Sequence, residues 1–103
     1  MKLIKKMSEM ISDEIEGAEC YAKKSLEYKD DKPDLARMFY NVSVTKMDIM
    51  NTLHDGVVGI IKEYREEHGE PPEAMQAVYD YLHEKEIEEA SEVKALQAMY
   101  KER

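Results

Sequence analysis

Two proline-containing breaks divide this chain into three long segments, and this division constrains the fold more than any other feature. The first break is the polar stretch 28–34, in which Pro33 stands near a helix start. The second is the stretch 68–73, where two consecutive prolines prevent one helix from continuing. Three helices are therefore predicted, over about 2–29, 34–68 and 72–101.

Each segment carries apolar residues at the spacing of one helix face, without the alternation of a strand. The first stripe is Ile4, Met7, Ile11, Ile15, Ala18, Ala22 and Ser25. The second is Leu35, Met38, Val42, Ile49, Leu53, Gly56 and Ile60. The third is Met75, Val78, Leu82, Val93, Leu96 and Tyr100. Because short connections make neighbouring helices antiparallel, we predict one domain over 1–103, an all-α, up-down-up three-helix bundle.

Gly56 and Gly59 lie inside the second segment, where each costs about 1 kcal/mol relative to alanine. We expect one long helix that is weakened or kinked at this point. The alternative is a true break, which would give four helices.

The composition excludes several classes of protein. Fifteen Lys and Arg against 23 Asp and Glu give a net charge of −8, which argues against nucleic acids and anionic membranes as partners. A hydrophobic content of 43% is too high for a disordered chain. The single cysteine, Cys20, has no partner for an internal disulfide, and the amino terminus lacks a signal-peptide core. We therefore expect a cytoplasmic protein.

Several glutamates interrupt the apolar stripes. At 100° per residue, Glu86 and Glu89 fall in the middle of the third stripe, one turn apart. Glu14 and Glu19 flank the first stripe, and Lys46 of the second helix is the nearby candidate counter-ion. Adjacent buried carboxylates must protonate, pair with a cation or bind a metal. The pattern thus leaves two interpretations, a carboxylate metal site or a salt-bridged polar layer around Lys46.

The spacing of Glu14 and Tyr21 resembles the first helix of the ferritin-like superfamily, which includes rubrerythrins and bacterioferritins. In that family the second helix carries Glu-x-x-His, and here its positions hold Lys46 and Ile49. The run 79–85, Tyr-Asp-Tyr-Leu-His-Glu-Lys, is similar to small ferritin-like proteins of gut bacteria and their phages.

The resemblance implies a reduced iron or manganese site or its salt-bridged remnant. Its metal ligands would be Glu14, Glu86 and Glu89, with Glu19 peripheral and Tyr21 as a nearby hydrogen-bond donor. Lys46 would determine whether the site holds a metal, because its ammonium group can take the place of the ion. The family's fourth helix is missing, so we expect a homodimer that completes a larger bundle, as encapsulated ferritins form by dimerisation. The seven tyrosines and eight methionines either cover such an interface or fill the monomer core.

Other polar residues suggest no catalytic constellation, which favours a protein that is not an enzyme. Asp80 and His83 have the spacing of a two-ligand metal edge, yet the third stripe places both toward solvent or a partner. His54 and Cys20 are expected to be exposed.

The alternative function is a non-enzymatic interaction module. It would use the acidic helix face of Glu84, Glu88 and Glu92 to dock on a basic protein, as a phage-type inhibitor or a nucleic-acid mimic does.

Overall fold

The computed structural model describes residues 2–102 and shows three α-helices joined by two short connections. Helix α1 spans Lys2–Glu27, α2 spans Pro33–His68 and α3 spans Glu73–Lys101. The described residues contain no β-strand, so the prediction of an all-α bundle is confirmed. Met1 and Arg103, the ends of the predicted domain, lie outside the described residues.

The three helices form an elongated bundle of 56 × 19 × 18 Å in which α1 packs against both other helices. Helices α2 and α3 touch each other at few points. One such point is Ser43 of α2, which is fully buried, donates to the carbonyl of Ala18 at 2.7 Å and accepts from Gln97 Nε2 at 3.0 Å. This hydroxyl therefore ties all three helices together at one level.

The core is built on the predicted stripe of α1. Ile11, Ile15 and Ala18 are buried against Met47 and Met50 of α2, with Val93 of α3 in the same cluster. Full burial of one isoleucine side chain stabilises a fold by about 1.5–3 kcal/mol. Because small residues alternate with isoleucines along this seam, the backbones of α2 and α3 approach α1 closely. The buried residues of α1 are Ile4, Ser8, Ile11, Ile15, Ala18, Ala22 and Ser25.

The predicted core stripe of α2 is correct only in part, because Leu53 packs against the core whereas other members are exposed. Met38 and Ile49 are 47% and 43% exposed, and the buried residues of this helix are Ala36, Ser43, Met47 and Met50. Helix α2 therefore has two apolar faces, an inner one of small residues and methionines and an outer one of larger side chains. A prediction from hydrophobicity alone places the outer face in the core, because the side chains of that face are larger and more apolar.

Helix α2 is continuous through both of its internal glycines, so the four-helix alternative is wrong. A Cβ added at Gly56 would lie 3.2 Å from Met7 Cε, whereas one added at Gly59 would meet no atom within 4 Å. Gly56 thus fits the packing of α1 on α2, and Gly59 leaves a notch in the exposed surface.

In α3 the buried residues are Glu86 and Val93, while Val78 of the predicted stripe is 55% exposed. None of the helices within 2–102 has a stretch long and apolar enough to cross a membrane.

Candidate functional site

The four predicted glutamate ligands do not converge. Glu19 pairs with Lys23 of its own helix at 2.8 Å, and Glu89 lies 4.0 Å from Lys85. Glu86 is buried, whereas Glu89 is only half-buried, contrary to its predicted place in the buried face. Within the described part of the chain, no group of three or more His, Cys, Asp or Glu side chains is placed to hold a metal ion.

Lys46 forms an ion pair with Glu14 between α1 and α2, with Nζ 3.3 Å from Oε2. Among the described residues, Lys46 forms no ion pair with Glu86 or Glu89 of α3. The Lys46 and Glu14 side chains retain 31% and 24% exposure, so the pair is partly desolvated. A Cβ at Gly17 would stand 2.9 Å from Lys46 Cδ, so the absence of a side chain there leaves room for the lysine stem.

Tyr21 packs on an aromatic side chain. Its ring stacks on Phe39 of α2 with centroids 6.0 Å apart, and Tyr28 contacts the same phenylalanine at 6.0 Å. The hydrogen bonds of residues 2–102 include none from Tyr21 to Glu14. The tyrosine thus contributes to packing between α1 and α2, and its predicted role beside a metal stays a prediction.

The outer face of α2 surrounds the ion pair with apolar and uncharged residues. A shallow groove of about 540 Å³ runs along it. Its lining is Asp34, Arg37, Met38, Asn41, Val42, Thr45, Lys46 and Ile49. Asp34 and Arg37 pair with each other at 3.5 Å at one end, so the middle of the groove is left with Lys46 as its only charged residue.

A cleft between α2 and α3, at the end where α2 finishes and α3 begins, is the larger concave feature. Its volume is about 590 Å³, within the range of small-molecule sites, and its wall is mainly apolar. Ile4 of α1, Val57 and Ile61 of α2 and Leu82 of α3 form that wall. The cleft exists because α2 and α3 hardly touch at this level.

Two histidines meet at this cleft. The rings of His54 and His83 stack with centroids 5.2 Å apart and an interplanar angle of 19°. His54 was expected to be exposed and is half-buried, whereas His83 is exposed, as expected, and contacts α2 through this stacking. At the rim, Arg65 donates to Gln76 at 3.1 Å, and Gln76 donates to Asp80 at 2.9 Å. These contacts join the two helices on one side of the opening.

Glu86 lines the same cleft with only 9% of its surface exposed. Burial raises the pKa of its carboxyl group, the nearby His83 lowers that pKa, and Glu89 raises it further. Tyr79 also lines the cleft. Its Oη is buried without a hydrogen-bond partner among the described residues, and burial raises the pKa of its phenol.

The histidine pair was not predicted, because the position of His54 around α2 was taken relative to Ile49, which lies on the exposed face. At 100° per residue, His54 is about 140° from Ile49, yet it follows Met47 by seven residues and shares its inner face. The signal that would have found it is the seven-residue spacing from Met47 together with His83 three residues before Glu86.

Cys20 is exposed, as expected, and the acidic-face residues Glu84, Glu88 and Glu92 are exposed as well. Comparison with protein-family models, with curated proteins and with solved structures finds no match for this chain. The ferritin-like resemblance therefore stays a prediction.

Proposed function

We propose that this chain is a small ferritin-like helical protein that acts by self-association and is not an enzyme. In this proposal the outer face of α2 joins two copies into a larger bundle, and Lys46 neutralises Glu14 where the family would hold iron or manganese. The observation that carries the proposal is the second apolar face of α2, which no part of the monomer covers within residues 2–102.

Charge is depleted along the same helix. Residues 41–61 contain three charged side chains in 21 positions, whereas the whole chain is 37% charged. A solvated helix normally carries charges on its outer side, and depletion of charge marks the centre of protein–protein interfaces. Thr45, Thr52 and the notch at Gly59 also allow a second helix to approach closely. A homodimer with the same patch on both subunits satisfies these features.

The ion pair supports the metal-free half of the proposal. The ammonium of Lys46 supplies a positive charge beside Glu14. Ile49 stands where the family pattern has a histidine, and its side chain points outward. A cation of the protein and a metal would compete for the same carboxylate, because both place positive charge next to it.

Sedimentation velocity tests the dimer. We expect wild-type protein at tens of micromolar to sediment as a dimer and Ile49→Glu to sediment as a folded monomer. Ile87→Glu is the matched control, because Ile87 is exposed to a similar extent, 53% against 43% for Ile49, but lies on α3. It should remain dimeric. A monomeric wild type, or a dimer that persists in Ile49→Glu, would contradict the proposal.

Elemental analysis tests the ion pair. After incubation with Fe²⁺ or Mn²⁺ and removal of free ions, we expect wild-type protein to retain far less than one metal per chain. Stoichiometric metal that is lost in Glu14→Gln would show a working carboxylate site and would refute the metal-free half of the proposal.

A second candidate function is docking of the acidic face on a basic protein partner, which the exposure of Glu84, Glu88 and Glu92 favours. The lysines at 85, 94 and 101 lie among these acidic residues and dilute the charge. Reversal of all three glutamates to lysine should abolish binding to a basic partner and leave the helical content unchanged. Retained binding would exclude this face.

A further inference from the structure

The cleft between α2 and α3 contains a charged group that the protein itself leaves unmatched. Only 9% of the surface of Glu86 is exposed, and no ion pair or side-chain hydrogen bond within residues 2–102 reaches its carboxyl group. Burial of an unpaired carboxylate is costly, and such groups are normally paired or protonated. A carboxyl at the base of an open cleft is accessible to a partner that enters from solvent.

The surroundings of Glu86 restrict the chemistry of such a partner. Ile4, Val57 and Leu82 supply an apolar wall that suits a hydrocarbon body. Tyr79 also lines the cleft, and its Oη is buried without a hydrogen-bond partner among the described residues. An anion would be repelled by the Glu86 carboxylate. A cation with an apolar tail matches both the carboxylate and the wall.

Neither Lys62 nor Arg65 pairs with Glu86, and His83 is the neighbour whose charge lowers the pKa of Glu86. Arg65 is held at the rim by Gln76 and by Glu70, with Nε 3.4 Å from the Glu70 carboxylate. Lys62 lines the cleft and forms no ion pair within the described residues. The stacked imidazoles of His54 and His83 line the same cleft as the Glu86 carboxyl.

We propose that this cleft is a binding site for a small amphipathic amine. Its ammonium group would donate to Glu86, and its hydrocarbon body would lie between Ile4, Val57 and Leu82. The site is separate from the outer face of α2, so it adds a ligand to a protein whose proposed function is self-association.

The probe is n-hexylamine, which is fully protonated at neutral pH, titrated into the wild-type protein and followed by two-dimensional amide NMR. We expect saturable shifts at the residues that line the cleft, with a dissociation constant of about 1 mM or below. Hexanol and hexanoate are controls of the same chain length and should bind at least about tenfold more weakly. Equal binding of hexanoate, or shifts confined to the outer face of α2, would overturn the proposal.

Glu86→Gln removes the charge and keeps the shape, and it should weaken hexylamine binding about tenfold or more. Glu88→Gln is the matched control, because it is the same substitution at an exposed position of the same helix. It should bind like the wild type. Unchanged affinity in Glu86→Gln would refute the role of this carboxyl.

The affinity should also fall as the pH is lowered through the raised pKa of Glu86. The charged and titratable groups around the cleft are His54, Lys62, Arg65 and Glu66 on α2 and Tyr79, Asp80, His83 and Glu89 on α3, while Ile4 and Ser8 contribute no charge from α1. Glu86→Gln should remove the acid limb of this profile.

Shifts of the cleft residues with protein concentration, in the absence of amine, would instead show a second copy in the cleft and would overturn the proposal.

Discussion

The two ends of this bundle are built from the same three helices, yet one is closed and the other is open. At the closed end, Tyr21 and Tyr28 pack on Phe39, and Tyr40 stacks on Tyr100 with centroids 4.6 Å apart. Lys29 also donates to the carbonyl of Met99, which anchors the end of α3. Large flat side chains between the helices fill the space that small residues on α1 leave.

At the open end, the space between α2 and α3 is bordered by aliphatic residues, the two histidines and Glu86, and it is not filled. Aromatic rings are present at this end too, since Tyr79 lines the cleft and Tyr64 contacts His68 with centroids 5.0 Å apart, but they do not close the gap between α2 and α3. The packing that stabilises the bundle and the proposed binding cleft therefore lie at opposite ends of the bundle axis. Aromatic packing fixes the helices at one end, and polar residues in an unfilled gap offer a site at the other.

The largest expected effect is at the closed end. Phe39→Ala removes the ring that two tyrosines contact and should lower the free energy of unfolding by about 3 kcal/mol. Leu82→Ala, in the wall of the open cleft, is the matched comparison and should cost about 1 kcal/mol because one side of Leu82 faces an existing gap. Urea denaturation measures both. Equal losses would show that the two ends are packed alike.

The next effect concerns the buried hydroxyl that joins the three helices. Ser43→Ala leaves the Gln97 amide and the Ala18 carbonyl without this partner and should cost about 1–2 kcal/mol. Thr45→Ala is the control, because the Thr45 hydroxyl bonds only within α2 at an exposed position. If Ser43→Ala costs no more than this control, the three helices do not depend on the hydroxyl.

At the open end, one substitution is expected to increase the stability of the fold by a smaller amount. Burial raises the pKa of Glu86 above its value in the unfolded chain, so the folded state favours the protonated form. The contribution of Glu86 to stability is therefore greatest at acid pH and is lost as the pH rises through the folded-state pKa. Glu86→Gln should raise the Tm at pH 8 by a few degrees and have little effect at pH 4. A lower Tm at pH 8 would mean that the carboxylate is matched by a cation.

The smallest effect is expected at the ion pair between the two ends. Because Lys46 and Glu14 are both partly exposed in the single chain, a double-mutant cycle with Lys46→Ala and Glu14→Ala should give a coupling of about 0.5–1 kcal/mol at a protein concentration at which the chain is monomeric. At a concentration at which the proposed dimer forms, the outer face of α2 would cover the pair and the coupling should be larger. Equal couplings at both concentrations would contradict a dimer that covers this pair.

The sequence was sufficient to predict the three helices and the core face of α1. The prolines and the polar turns end each helix locally. Because α1 has one apolar face, its orientation follows from periodicity. The orientation of α2 did not follow, because its buried face consists of Ala36, Ser43 and two methionines and is less hydrophobic than its exposed face. Tertiary packing against the isoleucines of α1 decides between the two faces.

The candidate site was predictable only in part. Glu86 was correctly placed on the inner side of α3, because Val93 lies seven residues away on the same face. Its separation from Glu14 could not be read from the sequence, since that depends on the axial position of α3 relative to α1. The pairing of His54 with His83 depends on both helix rotations, and an error in α2 alone was enough to hide it.

The most direct test of the proposed self-association uses the single native cysteine. Cys20 is exposed and lies opposite the apolar stripe of α1, so a nitroxide attached to it leaves the outer face of α2 free. Pulsed electron double resonance on this labelled protein should show one defined distance between the two labels of a dimer. The same measurement on Ile49→Glu should show no dipolar modulation. No modulation in the wild type, or the same distance in both proteins, would contradict association through the outer face of α2.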